Sequence, residues 1–263
     1  MFYFCSPLDL HIQGGLTEAL TMLGPSGTFR ELTYSGFTVA LEEMTIGEEG
    51  AQLFKSALSA EQWSELGNVL AAQPEDQAGV RLFDVPGLRP FLDPSGPIGR
   101  ISASVLGPEC FAVRAIFFDK TANQNWSLGW HQDRTIAVRQ RVDVEGFGPW
   151  SVKSDVVHVE PPFDLMAGLV TVRVHLDAVP ATNAPLLVAS GSHKRGRIVT
   201  AEIPDVVREC GIVSCLAEAG DIWLYATPIL HASEAAAEPR HRRVLQLDYS
   251  ARELPGGLQW LGV

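Results

Sequence analysis

The chain has no CxxC pair, no GxGxxG or P-loop glycine pattern, no internal repeat and no apolar run long enough to cross a membrane. Each absence removes a class of protein. The four cysteines (Cys5, Cys110, Cys210, Cys215) stand at unrelated spacings and read as reduced thiols, not as a zinc site or a disulfide framework. No Lys or Arg precedes Arg30, so the apolar start "MFYFCSPLDL" lacks the basic region of a signal peptide, and a cytoplasmic protein is expected. Positive charge is scarce throughout: 20 Lys and Arg against 31 Asp and Glu leave a formal net charge of -11. That balance disfavours nucleic acid and anionic membranes as partners and leaves a small molecule. At 263 residues and 46% hydrophobic, the chain is long enough to bury a substantial core.

What is present changes texture along the chain. "LTEALTMLG" and "SAEQWSELGNVLAAQ" carry apolar residues at helical spacing, and Ser59 three positions before Gln62 has the form of a capping box. "DPSGPIGRISASVLG" holds turn signals and a short helix. From residue 106 the segments become short and β-rich: "CFAVRAIFFDK", "HQDRTIAVRQRV", "GLVTVRVHLDA", "PLLVAS", "DIWLYAT" and "RRVLQLDYSA". Gly, Pro, Asn and Asp clusters separate them, the pattern of an antiparallel sandwich or jelly roll rather than of βαβ units. One domain over 1–263 is expected, with a helical layer over 1–105 and a β core over 106–252. Residues 140–166, rich in Gly and Pro, read as a long loop beside the core, either a lid or a surface excursion.

Inside "NWSLGWHQDRTIAV" the chain sets His131 and Asp133 two residues apart on what reads as a strand, hence on one face. Alone, such a pair is more often an ordinary hydrogen bond than a metal site. His231 follows the strand "DIWLYA" and precedes another, so returning strands can bring it alongside. Two imidazoles and one carboxylate on one face of an octahedral ion leave three positions open, the arrangement of non-haem Fe(II) oxygenases. A keto-acid cosubstrate would need an arginine for its far carboxylate. Arg242 stands eleven positions after His231 and shares strand parity with Val244 and Gln246, whereas Arg243, Leu245 and Leu247 point the other way.

Taken together, "NWSLGWHQD", "PLLVASGSHKRGRI" and "GDIWLYATPILHAS…RHRRVLQLDY" resemble the phytanoyl-CoA dioxygenase family of Fe(II)/2-oxoglutarate-dependent oxygenases over roughly residues 105–252. The resemblance implies a mainly β fold, a double-stranded β-helix (jelly roll) with N-terminal helices packed on the barrel. It implies Fe(II), 2-oxoglutarate and O2 as cofactor and cosubstrates, with release of succinate and CO2. By position, His131, Asp133 and His231 become the iron ligands, Arg242 grips the distal 2-oxoglutarate carboxylate, Ser233 helps to hold it, and Lys120 lies near cosubstrate or substrate. With a carboxylate at position 133, hydroxylation rather than halogenation is the implied outcome.

Further residues receive roles by parity or loop position. Thr171 is assigned to the cosubstrate and Arg173 to an acidic substrate, because they share a face of their strand; His175 shares it as a structural histidine. Trp150 and His158 are substrate contacts by their place in the long loop. Trp130 and Gln132 are assigned to packing or to support of the ligands, and "SHKRGR" to a turn rather than a phosphate site. Two other readings stay open at this point: a cupin-like metal enzyme that does not use 2-oxoglutarate, and a non-catalytic barrel that binds a small molecule.

Overall fold

A computed structural model describes residues 41–263 apart from positions 75, 76 and 78. The "LTEALTMLG" helix and Cys5 lie outside the described residues. In chain order the elements are β1 (Ala51–Phe54), α1 (Ala60–Leu70), β2 (Val80–Arg81), α2 (Arg89–Leu92), α3 (Gly99–Leu106), β3 (Phe111–Lys120), β4 (Leu128–His131) and β5 (Ile136–Val138). The hairpin β6 (Trp150–Lys153) and β7 (Val156–Val159) follows, then α4 (Phe163–Ala167), β8 (Val170–His175) and β9 (Leu186–Ala189). The chain continues with α5 (Ile203–Cys210), β10 (Ile212–Cys215), β11 (Ile222–Ala226), β12 (His231–Ser233) and β13 (Arg242–Ser250).

Two antiparallel sheets form the barrel, one in the order β1-β11-β8-β13-β3-β2 and one in the order β10-β9-β12-β4. The architecture is mainly β, as the sequence pattern implies, and it is the double-stranded β-helix. Alternation decides what each strand shows to each side. Leu245 and Leu247 of β13, Val172 and Val174 of β8 and Leu224 of β11 face outward and pack against Leu66 and Leu70 of α1, Phe91 of α2 and Ile101 of α3. The other parity turns inward. On the smaller sheet, Ala189 and the neighbouring Leu230 are covered by Ile203 and Val207 of α5. Between the sheets, Trp223 and Tyr225 meet Leu186 and Val188.

α1 starts with the expected capping box. The Ser59 side chain accepts from the Gln62 backbone N–H, and the Gln62 side chain accepts from that of Ser59. Such a cap contributes about 1 kcal/mol. Two expectations are corrected. The region before residue 106 is not only helical, because β1 and β2 form the edges of the larger sheet. The segment 140–166 is not an open loop: β6 and β7 form a hairpin that joins β5 in a third sheet, and α4 follows. Ser154 and Asp155 turn the hairpin with positive φ, 48° and 60°, which suits a tight two-residue connection. Cys110, Cys210 and Cys215 are free thiols, and no described helix is long and apolar enough to cross a membrane.

Candidate metal centre

β12 lies antiparallel to β4 with His231 directly opposite His131, so the two imidazoles meet with ring centroids 4.2 Å apart. Asp133 completes the cluster: one ligand atom from each of His131, Asp133 and His231 lies within 4.8 Å of the others. Donors bound at about 2.0–2.2 Å around one ion stand no more than about 4.4 Å apart, so a small inward adjustment lets all three reach a single ion. The reason that Asp133 joins His131 is not strand parity, because β4 ends at His131 and residues 132–135 are irregular. The segment is instead pinned from both sides. Gln132 donates to the carbonyls of Gly196 and Pro228 and accepts from Ile198 N–H, and Arg134 donates to Ile198 O at 2.6 Å. Gln132 therefore ties the segment to the chain just before His231, the supporting role expected of it.

The local bonds also fix which nitrogen each histidine offers. Nδ1 of His131 lies 2.8 Å from Gly129 O, and Nδ1 of His231 lies 3.0 Å from Ile229 O. A carbonyl only accepts, so each Nδ1 carries the proton and each Nε2 keeps a free lone pair. Burial pushes the His231 pKa down to about 4, against the pull of Asp133, so the ring is neutral at physiological pH. Burial works to raise the pKa of Asp133, but Arg114, His231 and His131 outweigh it and hold the carboxylate below its usual range. Two imidazoles that each aim Nε2 at one point, beside one anionic carboxylate, suit a divalent ion with open positions.

From this cluster the inward faces of β8, β11 and β13 carry an unusual row. Arg173 and Arg242 are buried, 7% and 3% exposed, and neither forms an ion pair among the described residues. Their Nε atoms, His175 Nδ1 and Tyr225 Oη are all buried without a hydrogen-bond partner. Tyr225 stands at the metal end, its ring 5.7 Å from His231. Arg242 stands at the other end, with Nη1 donating to Ala184 O. Burial and then the charge of Arg173 push the Arg242 pKa down to about 9. Such orphaned donors cost free energy unless something accepts from them. An elongated anion that reaches from the metal to Arg242 meets that need.

The remaining expected residues fall into place unequally. Lys120 donates to Trp126 O (2.6 Å), Ser233 Oγ (3.1 Å) and Glu234 O (3.0 Å), so it braces Ser233 and supplies charge, not a free proton. Burial, then Arg242 and Arg173, push its pKa down to about 7. Thr171 is corrected: its hydroxyl bonds Asp248 and Thr227, both at 3.0 Å, and is not free for a cosubstrate. Arg173 faces inward and donates to Gln246 Oε1 at 2.7 Å. Trp150 lies opposite Val159 and packs against a separate apolar cluster. His158 is 1% exposed inside β7, and Nδ1 is bonded to Val156 O. Neither Trp150 nor His158 joins the metal cluster. Arg243 pairs outward with Asp177 at 2.7 Å, and Arg240 is exposed. The basic turn is no phosphate patch, because Lys194, Arg195 and Arg197 pair with Glu48, Glu209 and Glu160.

One residue escaped the sequence reading. Arg114 of β3 reaches Asp133 Oδ2 with Nη2 at 3.0 Å and Asp248 Oδ2 with Nε at 2.5 Å. Burial works against its charge, but Asp248 and Asp133 raise its pKa further. The signal available was a lone charged residue in the apolar strand "CFAVRAIFF".

The family model described as "Phytanoyl-CoA dioxygenase (PhyH)" matches residues 94–244. A search of curated protein sequences returns no match. Among solved structures, EctD from S. alaskensis, with 2-oxoglutarate and 5-hydroxyectoine, superposes with a TM-score of 0.60 at 17% identity, over 83% of this chain and 77% of that one. AviO1 from Streptomyces viridochromogenes Tue57 gives 0.56 at 16% identity over 80% and 94%. SnoK, a non-heme alpha-ketoglutarate-dependent carbocyclase from nogalamycin biosynthesis, gives 0.54 at 18% identity over 78% and 80%. These likenesses establish the shared fold.

Proposed function

The chain belongs to the phytanoyl-CoA dioxygenase family and is an Fe(II)- and 2-oxoglutarate-dependent oxygenase; on that premise we propose that it hydroxylates a small organic molecule. His131, Asp133 and His231 hold the iron, and Arg242 holds the distal carboxylate of 2-oxoglutarate. The observation that carries this reading is the row of buried polar atoms without a partner (Tyr225 Oη, Arg173 Nε, His175 Nδ1 and Arg242 Nε) beside a His/Asp/His cluster. When bound, the iron and its cosubstrate supply the oxidising power, and O2 the oxygen atom.

The chain's own residues supply geometry and charge. His131 and His231 direct Nε2 at the ion because Gly129 O and Ile229 O hold their other nitrogens. The Arg242 guanidinium presents a planar donor pair to a carboxylate. Ser233, braced by Lys120, lies on the same strand as His231 and helps to close the carboxylate site. Apolar side chains such as Trp223 and Val188 keep bulk water from the space between the sheets.

Lys120 makes this reading pH-sensitive. With its pKa near 7, its ammonium is present below neutrality and lost as pH rises. A bound carboxylate favours the charged form, so binding above pH 7 must take up a proton. The affinity for 2-oxoglutarate is expected to fall as pH climbs from about 7 to 8.5, by at most about tenfold per unit. Calorimetric titration in buffers of different ionisation enthalpy would register the proton uptake. Lys120→Met is expected to bind more weakly with a flat profile; an unchanged slope would remove Lys120 from the site.

The activity itself is tested by screening metabolites for substrate-stimulated succinate release. A product that gains one oxygen atom supports hydroxylation. A product that loses two hydrogens without gaining oxygen would assign a ring closure of the kind named for SnoK.

A further inference from the structure

We infer that Arg114 is a positioning residue for the metal site, holding the Asp133 carboxylate by Oδ2 so that only Oδ1 is presented to the ion. The inference rests on the reading of His131, Asp133 and His231 as ligands.

Strand register builds the arrangement. Asp248 of β13 lies opposite Arg114 of β3 on one side and opposite Thr171 of β8 on the other. All three side chains share the inward parity. Asp248 receives Arg114 Nε on Oδ2 (2.5 Å) and the Thr171 hydroxyl on Oδ1 (3.0 Å), so both of its oxygens are tied. A planar guanidinium gripped at Nε by a carboxylate that cannot swing has little freedom left. Its Nη2 is therefore aimed, and it meets Asp133 Oδ2 at 3.0 Å. Thr171 also bonds Thr227 at 3.0 Å, four residues before His231. One relay thus connects the carboxylate ligand to the chain that delivers the second histidine.

The consequence is a count of coordination positions. Three protein donors leave three places on an octahedral ion, two for a chelating keto acid and one for O2. A carboxylate free to rotate can bind through both oxygens and occupy one of those places. With Oδ2 bonded to Arg114, Asp133 would offer the ion one oxygen, and the third place would stay open. Outer partners of this kind typically change metal affinity by about 10- to 100-fold.

The competing account is that Arg114 only neutralises two buried carboxylates. Arg114→Met alone strands both and is expected to destabilise the chain, so it does not separate the accounts. The double variant Arg114→Met/Asp248→Asn strands no charge beyond Asp133, which the ion itself neutralises. Thermal melts and Co(II) titrations, with the visible cobalt spectrum as a report of coordination, compare it with wild type and with Asp248→Asn. The expected result is a melting temperature near that of wild type, Co(II) affinity lower by about 10- to 100-fold, and an altered spectrum. Asp248→Asn alone loosens the grip on Arg114 Nε but keeps the Arg114–Asp133 bond, so its Co(II) affinity should fall between those of wild type and the double variant. Arg114→Lys keeps the charge but cannot bridge two carboxylates, and it is expected to show the same loss without a second change. If the double variant and Arg114→Lys bind Co(II) as wild type does, with the same spectrum, the positioning role is overturned. If His231→Ala also binds Co(II) as wild type does, the fault lies instead in the ligand reading, and this inference falls with it.

Discussion

His231→Ala is expected to lose tight divalent-metal binding altogether, and His131→Ala to do the same. The two rings face each other across paired strands with both Nε2 lone pairs free, so neither can substitute for the other. Losing an outer partner of a ligand costs about 10- to 100-fold, so losing a direct ligand should cost more, on the order of 1000-fold. Asp133→Ala is expected to bind weakly as well, and to leave Arg114 with Asp248 as its one carboxylate. The control is His241→Ala: that ring is 64% exposed, pairs with Asp119 and stands outside the cluster. Anaerobic Fe(II) titrations of the four variants check the expectation. Wild-type affinity in both His131→Ala and His231→Ala would remove the cluster as the metal site.

The second large effect concerns the three arginines around residue 242, Arg240, Arg242 and Arg243. Arg242→Ala is expected to weaken 2-oxoglutarate binding by about 30- to 1000-fold, the cost of about 2–4 kcal/mol for leaving a desolvated carboxylate unpaired. Arg242→Lys should recover only part of the loss, because an ammonium cannot present a planar fork. Arg243→Ala should leave the affinity nearly unchanged, since that side chain turns outward to Asp177. Arg240→Ala should do likewise, its guanidinium being 77% exposed. Titration of 2-oxoglutarate with Fe(II) present decides among them. A large loss in Arg243→Ala with normal binding in Arg242→Ala would contradict the inward face assigned to β13.

The parity of β8 and β13 could be read from the sequence because each is long enough for alternation to separate two environments. Leu245 and Leu247 go to the helical layer, while Arg242 and Gln246 go inside, as the pattern requires. The meeting of His131, Asp133 and His231 could be expected from their residue types, but for a reason that the structure replaces. Asp133 reaches His131 through the bonds of Gln132, Arg134 and Arg114, not through a continued strand. β1 and β2, four and two residues long, are too short to show any period, and they exist because the larger sheet offers them an edge. The β6–β7 hairpin was hidden by the Gly and Pro residues before it, although Ser154–Asp155 between alternating residues is a turn signal. Arg114 depends on register between strands far apart in the chain, which neither strand encodes alone. The same holds for Thr171: its parity was right, but its partner Asp248 lies on another strand.

The most direct test of the account is the absorption spectrum of the anaerobic protein with Fe(II) and 2-oxoglutarate. A keto acid chelated to iron between two imidazoles and a carboxylate gives a weak visible charge-transfer band. That band is expected in wild type, to need both additions, to disappear in His231→Ala and to require much higher 2-oxoglutarate in Arg242→Ala. A wild-type protein that binds Fe(II) tightly but never develops the band with 2-oxoglutarate would contradict the central claim.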